Sequence, residues 1–274
     1  MKIKTRRKGF MDVRELNAYQ VAYGKPLSRK DYFNYVGIPC LFMGIFSYSL
    51  CYYWWVALIC SFVGGIYGFK VKMPKSVKRE YNLKSLAERN KFINNITQIL
   101  SDESKTTIKA IGIAKARTKG ELRNDIQLLE AKLQGADKFQ ISEAFNEITR
   151  KYEKDVVFTQ YLEQIETAIY EGYNNADTLK QIKSYHNDIL TETNNFMKIK
   201  EGYLKDMKQM IFIIGVFIIS ITFSFGFATY YNAFAHTFIG WIFGGIYYTL
   251  MIMFLRKFFL YYFDDEIMSL GGIK

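Results

Sequence analysis

Hydrophobic and polar positions along this chain are segregated on two scales. On the coarse scale, two apolar runs stand apart from the rest. Tyr35 to Phe69 carries no charged residue, and Met210 to Leu255 carries none except a possible charge on His236. Both runs exceed the roughly 20 residues that a helix needs to cross a bilayer core. Read as one helix, the first run would be about 52 Å long, well beyond the core thickness. Two short spans with a tight turn near Cys51–Trp54 fit it better. Tyr48, Tyr52, Tyr53, Trp54 and Trp55 then form an aromatic belt at the far interface. The second run divides in the same way, at Tyr230, Tyr231, Asn232 and His236. Gly64 and Gly68 in the first run, and Gly240 and Gly244 in the second, have the small-xxx-small spacing that lets membrane helices approach closely, and packing between the two hairpins is expected from them.

On the fine scale, residues 70–208 repeat apolar positions at helical spacing. Leu86, Ile93, Ile96 and Leu100 share one stripe, and Ile108 with Ile111 begins another after the polar break Ser101–Ser104. Thr118 and Glu121 have the spacing of a capping box opening a helix with Leu122, Ile126, Leu129 and Leu133 on one face, and Gly135 is its stop. Ile141, Ala144, Phe145, Ile148 and Tyr152 form the next stripe. Phe158, Leu162, Ile165 and Ile169 form another, before Gly172 and the Asn174–Asn175 break. The last stripe runs Leu179, Ile182, His186, Ile189, Thr193, Phe196 and Tyr203, with no proline before Met210 and only Gly202 to loosen it. It predicts one helix from about Asp177 to Tyr230, roughly 80 Å long. Single-sided stripes must pack on one another. The fold class is therefore an all-α integral membrane protein, with two transmembrane helical hairpins flanking a cytoplasmic helical bundle. The segments are a basic stretch 1–34, hairpin 35–69, bundle 70–208, hairpin 209–258 and tail 259–274.

Charge orients this arrangement. The net charge of +11 concentrates beside the apolar runs: Lys2 to Lys30 before the first, Lys70 to Arg79 after it, Lys205 and Lys208 before the second, Arg256 and Lys257 after it. The positive-inside rule then places both termini and the middle block on the cytoplasmic side of a plasma membrane. That placement accounts for the charge without direct nucleic-acid binding. In the basic stretch, Val13, Leu16 and Tyr19 or Gln20 make a short face that fits either a membrane-surface helix or a mobile tail. Cys40, Cys51 and Cys60 lie in the first run without metal-ligand spacing and read as small buried hydrophobes.

Catalytic signatures are missing from the pattern. There is no GxxxxGK[ST] loop, no HExxH and no nucleophile elbow, and the two histidines stand far apart in sequence. The spans carry no Asp, Glu, Lys or Arg, which argues against an ion-coupled transporter. Asp102, Glu103 and Glu130 read as solvated helix faces. His186 lies on an apolar stripe and reads as a hydrogen-bonded packing residue, and His236 as an interfacial one. No enzyme, metal or cofactor is expected.

Three stretches resemble a known family. Phe92–Ile111 (FINNITQILSDESKTTIKAI) is similar to the first helix, polar turn and second helix of the type II secretion F-domain. Phe139–Ile165 (FQISEAFNEITRKYEKDVVFTQYLEQI) resembles its short amphipathic helix, break and longer helix. Ile169–Ile182 (IYEGYNNADTLKQI) is similar to the glycine-containing turn before its long last helix. The resemblance covers about residues 89–216 plus the flanking hairpins, and the layout is nearest to the Tad-type inner-membrane platform proteins. The first turn departs from the family, reading Ser-Asp-Glu-Ser where a small residue and glycine are usual, and the second keeps only Gly172. The resemblance implies a non-enzymatic platform of a type II secretion or type IV pilus machine. Its implied partners are a hexameric ATPase acting in trans, pilin or pseudopilin subunits, the lipid bilayer and further copies of itself. Met197, Tyr203, Leu204 and Met210 would lie on its coupling helix. The alternative is a membrane component of a conjugative DNA-transfer apparatus.

Overall fold

A computed structural model describes residues 12–102, 104–172 and 175–265. The N-terminal basic cluster, Glu103, Asn174 and Glu266 fall outside the described residues. Every regular element among the described residues is helical, and four helical stretches are long and apolar enough to cross a membrane: Arg29–Cys51, Trp54–Leu100, Ala176–Phe225 and Phe238–Tyr262. The chain divides into two compact units, one containing residues 26–78 and 198–264 and the other residues 18–25 and 79–197.

In the first unit, α3 (Ile38–Cys51) and α4 (Trp54–Tyr67) lie against each other, joined by Tyr52 and Tyr53 where the pattern predicts the turn. Tyr52 takes a left-handed conformation, φ +52°, which a bulky residue adopts only under local constraint. Its ring sits among Phe227, Tyr230 and Tyr231, and its hydroxyl donates to Thr222 Oγ1 at 3.4 Å. The short helix α2 (Arg29–Tyr32) and a wider π turn at Phe33–Gly37 precede α3, a second π turn follows α4 at Gly68–Lys72, and Lys72 donates to the Asn34 carbonyl across them at 3.0 Å. The third apolar stretch ends earlier than expected. α10 (Ala176–Phe225) stops at Gly226, φ +76°, and α11 (Phe227–Tyr230) with a π turn at Tyr231–Ala235 leads to α12 (Phe238–Tyr262), capped by Thr237. Gly202 leaves α10 unbroken.

In the second unit, the predicted stripes meet in one apolar core. It joins Phe92, Ile93 and Ile96 of α5 (Met73–Leu100), Ile111 of α6 (Thr107–Arg117) and Ile126 of α7 (Gly120–Leu133). Phe145 of α8 (Lys138–Lys151), Phe158 and Tyr161 of α9 (Val156–Glu171), and Leu179 of α10 complete it. Ile108 is the exception on α6: it is exposed, and Ala110, Ile111 and Ala114 form the buried face instead.

The expected capping box at Thr118 does not form. Thr118 ends α6, donating its hydroxyl to the Ala114 carbonyl at 2.9 Å, and α7 opens on Lys119 without a side-chain cap. The reason lies in α1 (Val13–Tyr23). Gly120 has φ +66° and sits so close to the Ala22 carbonyl and the Tyr23 ring that no side chain fits there. Tyr19 and Tyr23 meet Tyr81 of α5 edge-on or tilted, at 4.9 and 5.4 Å, and Leu16 is buried. The short apolar face of α1 is thus covered by protein, where a lipid surface or a mobile tail was expected. Glu121, released from capping, accepts from Tyr81 and pairs with Lys151, each at 2.6 Å.

Candidate functional site

The most elaborate polar constellation surrounds His186, on the apolar stripe of α10. It begins with Asp155, the N-cap of α9. One carboxylate oxygen accepts from the Phe158 N–H at 3.0 Å, satisfying a donor that the helix start leaves orphaned. The other oxygen accepts from Arg89 Nε at 2.6 Å and from His186 Nε2 at 3.3 Å. Asn90 Nδ2 donates to His186 Nδ1 at 3.0 Å, so Nε2 carries the ring hydrogen toward the carboxylate. Asn90 also donates to Asn187 Oδ1, Asn94 donates to both Asn90 Oδ1 and Asn187 Oδ1, and Arg89 Nη1 donates to Ser85 Oγ. The Arg89 guanidinium lies over the Tyr152 ring at 5.5 Å. A single carboxylate therefore ties α5, α9 and α10 to one another.

The electrostatics follow from this geometry. Burial pushes the Asp155 carboxyl up, but the His186 hydrogen bond and the Arg89 charge outweigh it and hold the group at about 2. Burial alone pushes the Tyr161 phenol up; its hydroxyl meets Thr97 Oγ1 at 2.8 Å inside the core. Near the surface of the same unit, Lys151 pairs with both Glu121 and Asp125 at 2.6 Å. Partial burial raises Glu121 and the hydrogen bonds from Lys151 and Tyr81 more than reverse it, leaving Glu121 below its ordinary value.

What this constellation can do chemically is limited by access. His186 is fully buried, and its two ring nitrogens are taken up by Asn90 and Asp155. An imidazole closed on both sides has no position for a substrate proton, so the His–Asp pair acts as a joint. Glu130, expected as a solvated carboxylate, instead pairs with Lys115 at 2.5 Å between α7 and α6, whereas Asp102 is exposed and accepts from Ser104. Among the described residues no group of three His, Cys, Asp or Glu side chains could hold a metal ion.

The glycines singled out by spacing occupy different settings. Side-chain carbons at Gly64 and Gly68 would come within 2.6 Å of the Pro39 carbonyl and 2.5 Å of the Tyr35 carbonyl, so Gly64 serves contact between α3 and α4, and Gly68 contact between the π turns that flank them. Gly240 lies against the Phe234 carbonyl of its own approach turn, and a side-chain carbon at Gly244 would lie 3.9 Å from Cys51 Sγ. Phe46 of α3, Ile218 of α10 and Met251 of α12 pack together in one buried cluster. Met197, Tyr203, Leu204 and Met210 all lie on α10; Met197 is buried, while Tyr203 and Met210 are exposed. Sequence reasoning passed over Arg89, Asn90, Asp155 and Lys200. A signal for Asn90 was present, since it falls on the stripe between Leu86 and Ile93, as His186 falls on its own.

Across 266 residues, 97% of this chain and 96% of the relative, the sequence is 49% identical to an uncharacterized protein of Bacillus anthracis, pXO2-23. The chain belongs to that protein's family. No family model and no solved structure matches it. The identity extends over nearly the full length of both sequences and is not confined to one segment.

Proposed function

We propose that this chain is a non-enzymatic membrane platform of a secretion or pilus machine of the type II and Tad kind, coupling a cytoplasmic hexameric ATPase to the export of pilin-like subunits. The supporting observation is α10, an uninterrupted helix of 50 residues. Residues 176–197 carry the polar joint at His186, and Met210–Phe225 carries no Asp, Glu, Lys or Arg. At 1.5 Å per residue this helix is about 75 Å long. In this reading the apolar helices form two transmembrane hairpins in the plasma membrane. The polar-faced helices form a cytoplasmic bundle, both termini are cytoplasmic, and the protein acts as a homo-oligomer. The ATPase displaces the bundle, and α10 delivers the displacement into the membrane.

The test has two parts. Crosslinking the full-length protein in its native membranes is expected to capture a secretion-type ATPase and a prepilin-like substrate. A two-glycine insertion beside Lys200 is expected to abolish subunit export while leaving protein levels intact. Normal export with the insertion in place would overturn the coupling role. Salt-sensitive DNA binding by the purified full chain would favour DNA transfer instead.

A further inference from the structure

Lys200 is 2% exposed, although lysine is almost never fully buried without partners. It sits where the stripe of α10 continues past Thr193 and Met197. Its ammonium donates to the Tyr261 carbonyl at 3.2 Å and to the Asp264 carbonyl, and lies 5.7 Å over the Tyr261 ring. The Tyr261 carbonyl lies in the last turn of α12, at the negative end of the helix dipole, and Asp264 follows the helix directly. Tyr203 adds an edge contact with Tyr261 at 6.0 Å. At the other end of the same two helices the packing is open. Phe217, Ile221 and Phe225 of α10 face Phe243 and Tyr247 of α12 across an apolar cleft of about 600 Å³.

We propose that Lys200 is a positioning residue that clasps the C-terminal end of α12 to α10, so that a displacement of α10 moves the third and fourth apolar helices together about that end. The inference rests on the coupling role proposed for α10 and adds the element that receives the motion. The Tyr261 and Asp264 acceptors are main-chain carbonyls, so a side-chain substitution at 261 or 264 leaves them in place. A cation of similar reach is required at position 200. The cleft at the far end is where the two helices have room to change their separation.

The experiment uses the full chain in native membranes and reads disulfide formation. In a background with Cys40, Cys51 and Cys60 replaced by alanine, Tyr203→Cys with Tyr261→Cys reports the clasp. In a second variant that keeps Cys40, Gly65→Cys reports the fold of the α3–α4 pair, because a side-chain carbon at 65 would lie 3.8 Å from Cys40 Cβ. Lys200→Met is expected to lower the 203–261 crosslink by about tenfold, while Lys200→Arg retains it. The Gly65–Cys40 crosslink should be unchanged in both, and export should follow the 203–261 yield. An unchanged 203–261 crosslink in Lys200→Met overturns the clasp, as does full export with the crosslink lost. If the two-glycine insertion also leaves export normal, the coupling role and the clasp both fall. If the insertion blocks export and Lys200→Met does not, only the clasp falls.

Discussion

The two compact units treat their apolar side chains in opposite ways. In the unit built from residues 79–197, Phe158, Ile126 and Tyr161 have no exposed surface at all. In the four apolar stretches, only 11% of the most apolar segment of each helix is buried, and Phe223, Phe238 and Phe62 stand 70% or more exposed. The first pattern is that of a domain that hides its hydrophobic faces from water. The second is that of helices whose own surroundings are apolar, where burial brings little and close contact depends on small residues such as Gly64 and Gly68. Hydroxyls do not follow this division: Ser220, Thr222 and Thr249 of the apolar helices donate back to the carbonyl four residues earlier, and so do Thr97, Thr118 and Thr191 of the other unit. A buried cluster of side chains such as the joint at His186 lies in the unit with the apolar core.

The largest expected difference is between two phenylalanines. Phe158→Ala should destabilise its unit by about 3–5 kcal/mol, whereas Phe223→Ala should change stability by less than about 0.5 kcal/mol. Hydrogen exchange of the full chain in a membrane mimetic, followed on α9 and α10 peptides, separates the two. Equal effects would erase the contrast between the units.

Acid should next distinguish them. Asp155 has a folded value of about 2 against an ordinary 3.8. A depressed carboxylate contributes stability that is fully present above the unfolded value and is lost as pH falls through the folded one. The polar-packed unit should therefore lose on the order of 2–3 kcal/mol between about pH 4 and pH 2. Asp155→Asn should flatten that limb of the pH profile. An unaltered profile in the variant would show that other carboxylates carry it.

The smallest effect compares two glycines within the polar-packed unit. Gly120→Ala meets both a left-handed backbone and the Ala22 carbonyl, whereas Gly135→Ala meets the left-handed backbone alone, with open space around it. The conformational part is about 1–2 kcal/mol in each. Gly120→Ala should cost more, and should expose α1 to protease where Gly135→Ala does not. Equal protection of α1 in both variants would break the assignment of Gly120 to α1 docking.

Much of this architecture is legible in the chain because it depends on local periodicity. The stripe Leu122, Ile126, Leu129 and Leu133 is buried as its spacing requires, the turn at Tyr52 divides a run too long for one span, and Gly135 and Gly172 stop their helices with positive φ. These features follow from helical pitch and steric rules acting over a few residues. The tertiary structure decided the rest. Thr118 and Glu121 had capping-box spacing, yet α1 arrives from a hundred residues away and makes Gly120 the starting point instead. Arg89, Asp155 and His186 are separated by 66 and 31 residues, and only helix packing brings them onto one carboxylate. Lys200 carries no mark in the sequence, because the Tyr261 and Asp264 groups it meets are main-chain carbonyls, which every residue has. Periodicity determines which face of a helix is hidden, and packing determines what that face meets.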